Sequence, residues 1–323
     1  MKQLNRHGKR RAGGLILAGA TVVAVLTAPM LAGASPLDGG GFKIRAVNTE
    51  NGAVSAVRGM NGLESQSDGG GDSTPGSGSE GSTTDPTAIP KGNLPNWTMN
   101  YSEDFTKDAD NISDLWDTYG ESMVGYRDKN DTSGHGLYSP DKVLTVQDGK
   151  LTWYLHTENG QPLVATPVLN DYHGQTYGRY SIRFRADRVP GYKIAFMQWP
   201  ISNQWNEGEI NWPEGNLEDG RIRPALAIPG TYNSATGRMD TAPGEEMFAD
   251  STVYDWHVAT TEWSPAGVKW FLDGKLVAST TEHPTTDFRW TLQVETEIGD
   301  TIPAPEARGK VEVDWAVSYS YDG

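Results

Sequence analysis

The chain of 323 residues contains no cysteine. Disulfides, a thiol nucleophile, thiolate metal sites and lipid attachment through an N-terminal cysteine are therefore excluded. Positive charge is also scarce, with 27 Lys and Arg against 42 Asp and Glu and a formal net charge of -15. That balance leaves no electrostatic footprint for nucleic acid or an anionic membrane surface. A neutral or cationic partner is compatible with it, and acidity otherwise argues only for solubility. Long amphipathic helical stretches are missing, and no unit of about 20 to 50 residues repeats along the chain. An HExxH pair, a nucleophile elbow and a phosphate-cradling glycine loop are missing too, so protease, esterase and nucleotide chemistry have no support.

One long apolar run is present, from Leu15 to Leu31. It follows Lys2, Arg6, Lys9, Arg10 and Arg11 and precedes Ala32-Gly33-Ala34, the layout of an export signal over residues 1–34 with cleavage after Ala34. Pro29 and the small-residue site favour cleavage over a retained membrane anchor. Arg10-Arg11 is compatible with twin-arginine export, although the general secretory route is commoner. Membrane contact is expected only through this segment before cleavage, and its removal takes the net charge from -15 to -20. The product is expected to be a secreted monomer, extracellular or held at the cell wall.

Residues 35–93 change character. The run Ser65 to Gly78 is built of Ser, Gln, Asp, Gly, Thr and Pro, and cannot bury enough apolar surface to offset chain entropy. A disordered tether is expected there, followed by one domain over residues 94–323. Roughly 230 residues suffice for one large β domain with a core of its own.

All 11 Trp lie beyond Asn96. Arg179 to Arg185 alternates, with Tyr180, Ile182 and Phe184 on one side. Lys310 to Ser320 is expected to put Val311, Val313, Trp315 and Val317 on one face. Asp273-Gly274 between Trp270-Phe271-Leu272 and Lys275-Leu276-Val277 is a strong hairpin signal. Many short strands with regular turns imply an all-β sandwich or jelly roll.

The chemistry is expected at Gly208-Glu209-Ile210-Asn211-Trp212-Pro213-Glu214-Gly215-Asn216. On a strand Glu209 and Asn211 share a face, while Ile210 and Trp212 point into a core. A spacing of five turns Glu214 to the wrong face unless one extra residue is taken up as a bulge, which Pro213 would tolerate. Two carboxyls on one surface can hydrolyse a glycoside, and a retaining enzyme needs them about 5 to 5.5 Å apart. Four paired steps span about 13 Å of backbone, so the side chains must lean together over a concave sheet. Their pKa values must differ, lower for the nucleophile and higher for the acid. On spacing alone, two exposed glutamates of an acidic protein explain the motif as well.

Further segments change those odds. Tyr101-Ser102-Glu103-Asp104-Phe105, Tyr177-Gly178-Arg179-Tyr180, Ala195 to Pro200, the Glu209 to Glu214 motif, Asp255-Trp256-His257 with Glu262-Trp263, the Asp273-Gly274 hairpin, Gln293 to Thr296 and Val313-Asp314-Trp315 occur in one order. In that order and spacing the chain from Trp97 to its end resembles glycoside hydrolase family 16, the laminarinase and lichenase group, most of all its exported bacterial members.

The resemblance implies a concanavalin-like β-jelly roll of two curved antiparallel sheets with a glycan cleft on the concave face. It implies a retaining endo-glycosidase or transglycosylase acting on a β-linked polysaccharide, a β-1,3- or mixed-linked glucan. Glu209 matches the nucleophile, Glu214 the acid/base, and Asn211 replaces the usual Asp between them. Losing that negative charge is expected to lower the nucleophile's pKa while keeping one hydrogen bond. The frequent downstream histidine is replaced within Ala225 to Ile228, and Met197 stands where Trp is frequent. The alternative is a non-catalytic glycan-binding jelly roll with a decayed site.

Trp199 and Trp205 are candidates for sugar stacking, since sugar rings present C–H faces to aromatics. For Trp199 a core role is equally compatible. Arg183, on the polar face of its strand, is a candidate for binding sugar hydroxyls, with a salt bridge as the plainer reading. No cofactor is needed for catalysis. The resemblance implies a structural calcium at Asp314, which one carboxylate does not establish, because calcium takes six to eight oxygens. His257 reads as a structural histidine.

Overall fold

A computed structural model describes residues 87–243 and 247–323. The expected signal segment and all but the last seven residues of the expected tether lie outside the described residues. Residues 87–93 belong to the packed domain. The carbonyl of Thr87 accepts from the Trp315 indole, and Ile89 packs against Trp315, Val317 and Tyr319.

Alternating sequences fold here as strands because one side chain in two can enter a shared core. Two sheets result. The larger has ten strands, with Gly178–Ala186, Gly309–Tyr321 and Lys150–Glu158 central in it. The smaller has five, in the order Thr241–Ala242, Arg223–Ala227, Glu209–Asn216, Tyr192–Pro200 and Phe288–Thr296. Pairing is antiparallel throughout, apart from the short parallel pair Leu137–Tyr138 with Gln161–Val164. Among the described residues no helix is long and apolar enough to cross a membrane.

The core between the sheets includes Tyr180, Ile182, Phe184, Phe196, Ile210, Trp212, Trp290 and Leu292, all buried. Tyr180, Ile182 and Phe184 point inward as the alternation requires. The hairpin forms at Asp273 and Gly274, whose φ values of 50° and 76° give the twist a two-residue loop needs between Leu272 and Lys275.

The last strand departs from the expectation. Its register against Gly178–Ala186 shifts between Val313 and Trp315. Asp314 is the extra residue, and every side chain beyond it changes face. Val311 and Val313 enter the main core, whereas Trp315, Val317 and Tyr319 form a second cluster with Ile89, Trp97, Met99 and Val258.

Candidate active site

Glu209–Asn216 lies in the middle of the smaller sheet, between Tyr192–Pro200 and Arg223–Ala227. Ile210 and Trp212 are buried toward the core, and the Trp212 indole donates to the Phe271 carbonyl at 2.9 Å. The register then slips on both sides. Met197 pairs with Asn211 but Ala195 with Glu214, and Ala225 pairs with Asn211 but Arg223 with Glu214. Trp212 and Pro213 thus oppose a single residue on each neighbour. The Trp212–Pro213 peptide is cis. This bulge returns Glu214 to the face that carries Glu209 and Asn211.

The three side chains meet there. The Asn211 amide nitrogen donates to Glu209 Oε1 at 2.8 Å and to Glu214 Oε2 at 3.0 Å. Two such bonds laid end to end bound the oxygen separation at about 5.8 Å. Because the two N–H bonds of an amide diverge by about 120°, the separation they favour is about 5 Å. That is the spacing of a retaining pair. A pocket opens over them, lined by Glu209, Asn211, Glu214, Arg223, Ala225 and Thr241 among others.

The electrostatics depart from the expectation. Burial pushes Glu209 up to about 7, and the Glu214 charge adds to the effect. The Asn211 bond and Lys193 pull the other way, as does the Trp205 indole that faces Glu209. The last is a weak contact, for the Trp205 Nε1 is buried without a partner of good geometry. Asn211 therefore acts in the expected direction. The desolvation of a carboxylate over an apolar floor outweighs it.

That floor is Ala195, Met197 and Trp199, a small cluster on the cleft side of the sheet against which Trp205 packs. Trp199 is only 5 % exposed and its indole donates to Asn203. It offers little ring face to a sugar, and the cleft is walled instead by Trp205, which meets the exposed Tyr232 edge-on with centroids 5.8 Å apart.

Arg183 does not join the site. Its neighbours Ile182 and Phe184 point into the core, so Arg183 projects from the far face of the larger sheet, bonded to Asp314 and lying over the Trp256 ring at 4.5 Å. The salt-bridge reading holds for it. The same bond gives Asp314 a guanidinium as its counter-charge. Among the described residues no group of three or more His, Asp or Glu could hold a metal. His257 has an Asp273 oxygen at 2.7 Å and a Ser251 hydroxyl at 3.0 Å, the satisfied histidine its setting implies.

Two further residues of the cleft carry a signal in the sequence. Arg223 opens the short strand Arg223–Ala227, and its Nη2 lies 3.4 Å from Glu214 Oε1. Lys193 is the single charge in the strand Tyr192–Pro200. Tyr232, in a polar loop, had none.

A family model, glycosyl hydrolases family 16, matches residues 132–317. The chain belongs to glycosyl hydrolase family 16. This family 16 chain is 26 % identical over 106 residues to a β-glucanase of Rhodothermus marinus. The match takes in 31 % of the chain and 36 % of the relative, so it spans about a third of that protein. The laminarinase structure from R. marinus superposes with a TM-score of 0.56 at 19 % identity, over 71 % of this chain and 99 % of its own. β-Agarase B from Zobellia galactanivorans superposes with a TM-score of 0.55 at 12 % identity, over 72 % and 97 %. At such identities these likenesses show the jelly-roll fold of the glycoside hydrolase family.

Proposed function

We propose that this family 16 glycoside hydrolase is an exported, retaining endo-β-glucanase. In this reading Glu209 is the nucleophile, Glu214 the acid/base, and the substrate a β-1,3- or mixed-linked glucan. The observation that carries it is the Asn211 amide bridging the two carboxyls at 2.8 and 3.0 Å beneath an open pocket. The β-glucanase and laminarinase relatives favour a glucan, and the basic and apolar segments of residues 1–34 support export.

The reaction follows from the geometry. A Glu209 oxygen attacks the anomeric carbon while the bond to the leaving oxygen breaks, and Glu214 gives that oxygen its proton. Glu214, now ionised beside Arg223, takes a proton from the incoming nucleophile. That oxygen attacks the same carbon and expels Glu209. Water gives hydrolysis and a sugar hydroxyl gives transfer.

Glu209 must lose its proton before it can attack. Its high pKa implies that the ionised fraction of Glu209, the form that can attack, grows with pH up to about 7.

The test is incubation of the purified protein with laminarin, lichenan, agarose and other β-glycans, beside Glu209→Gln and with binding followed on the same glycans. Cleavage of a β-glucan that is lost in Glu209→Gln supports the reading. Binding without cleavage identifies the chain as a glycan-binding module, and unchanged turnover in Glu209→Gln rejects the assigned nucleophile.

A further inference from the structure

The strand Tyr192–Pro200 is buried along nearly its whole length, yet Lys193 sits in it. Its ammonium is 3.4 Å from Glu295 on the neighbouring strand Phe288–Thr296. Glu295 is fully buried and also accepts from the hydroxyls of Tyr138 and Thr132. Such a pair is costly to bury, and well-packed apolar residues often serve a fold as well or better. Its position gives a reason for it.

On the cleft face, Ala195 pairs with Glu214 and Lys193 with Asn216, which puts Lys193 diagonally next to Glu214. Arg223 stands on the other side. Four charges therefore alternate across four strands, in the order Glu295, Lys193, Glu214, Arg223. Burial pulls the Lys193 ammonium down, but Glu295 and then Glu214 hold it above its ordinary value, so it remains a cation.

We propose that Lys193 and Glu295 form a positioning pair for Glu214: Lys193 supplies positive charge that favours the ionised acid/base, and Glu295 limits how much of it Glu214 feels. The proposal rests on the assignment of Glu214 as acid/base. An acid/base must be a carboxylic acid in one step and a carboxylate in the next. Arg223 alone would favour the carboxylate from one side, while a paired lysine adds a fixed, partly cancelled field from the other. The groups facing Glu214 are Arg223 and Lys193 from the flanking strands and Asn211 and Glu209 from its own. Glu295 lies behind Lys193, with Tyr138 and Asp131 beyond it.

The test is carboxyl 13C NMR titration of the protein, with the Glu214 signal assigned by its loss in Glu214→Gln. In Lys193→Met the Glu214 midpoint is expected to rise by about one unit, a tenfold tighter proton. In Glu295→Gln it is expected to fall, because the lysine charge is no longer cancelled. The basic limb of kcat/KM on laminarin should move in the same two directions. A merely structural pair would lower stability without shifts of opposite sign. A midpoint that moves by less than about 0.3 units in both variants, or in the same direction in both, overturns the proposal. If Lys193→Met does not fold, the near-isosteric Glu295→Gln decides alone: a fall supports the proposal, and a rise or no change overturns it. Opposite shifts in a protein that cleaves no glycan would uphold the pair and reject the hydrolase reading. Cleavage with an unmoved midpoint would do the reverse.

Discussion

The two sheets each turn a face with charged residues away from the shared core, and they treat their charges differently. On the larger sheet every acid in the row has its own arginine: Glu262 with Arg179, Asp314 with Arg183 and Glu312 with Arg185. On the smaller sheet Glu295 has Lys193 and Glu214 has Arg223, but Glu209 has no cation within ion-pair distance among the described residues. Its nearest polar partner is a neutral amide that it shares with a second carboxylate. The first face is neutralised pair by pair. The second holds one carboxyl out of water without an ion pair of its own, a state a protein keeps where it is used.

Removing the carboxyl that lacks an ion pair should have the largest effect. Glu209→Gln is expected to lower kcat by at least about a thousandfold, read by reducing-sugar release. The same change should stabilise the fold at pH 8. A raised carboxyl pKa contributes stability that is complete below the unfolded value near 4.5 and lost as pH rises through about 7. The Gln variant escapes that loss, so it should gain on the order of 1 to 3 kcal/mol in denaturant titrations at pH 8 and nothing below pH 4. Equal stability at both pH values would place Glu209 in water, on a par with the glutamates of the other face.

Substituting the shared amide comes next. Asn211→Asp puts a third negative charge between two carboxylates and removes both donated bonds. The acidic limb of kcat/KM should shift upward by about one unit, with activity at pH 6 reduced roughly tenfold. An unmoved limb would mean that Asn211 does not couple to Glu209.

Much of this contrast is legible along the chain, and the part that is not has physical causes. Period-two alternation identifies Gly178–Ala186, and Asp273-Gly274 identifies its hairpin, because both signals are local. The bulge at Trp212 and Pro213 can be inferred because Glu214 would otherwise face the core. The bulge at Asp314 cannot be inferred in the same way, since Val311, Val313, Trp315 and Val317 look alike on either face until a second apolar cluster is known to await the last two. The Glu209 pKa fails for a related reason. Sequence shows the amide that lowers it, while the desolvation that raises it comes from Ala195, Met197 and Trp199 of the neighbouring strand. Arg183 and Arg223 are both strand arginines between apolar neighbours, and only the sheet each belongs to separates a surface pair from a cleft pair.

The smallest effect is expected on the neutralised face. Arg183→Ala removes an exposed-face ion pair and a contact with Trp256, and should cost about 1 kcal/mol or less of stability. Turnover should stay within about twofold of the parent in the same sugar-release assay, since that face has no part in the mechanism. A large loss of activity would mean that the two faces are coupled.

The stereochemistry of cleavage tests the central claim most directly. Carboxyls about 5 Å apart leave no room for a water beneath the sugar, so the first product must keep its anomeric configuration. Proton NMR of a β-glucan digest in its first minutes should show the β-anomer of the new reducing end, with the α-anomer appearing only by mutarotation. An α-anomer formed first would contradict the account.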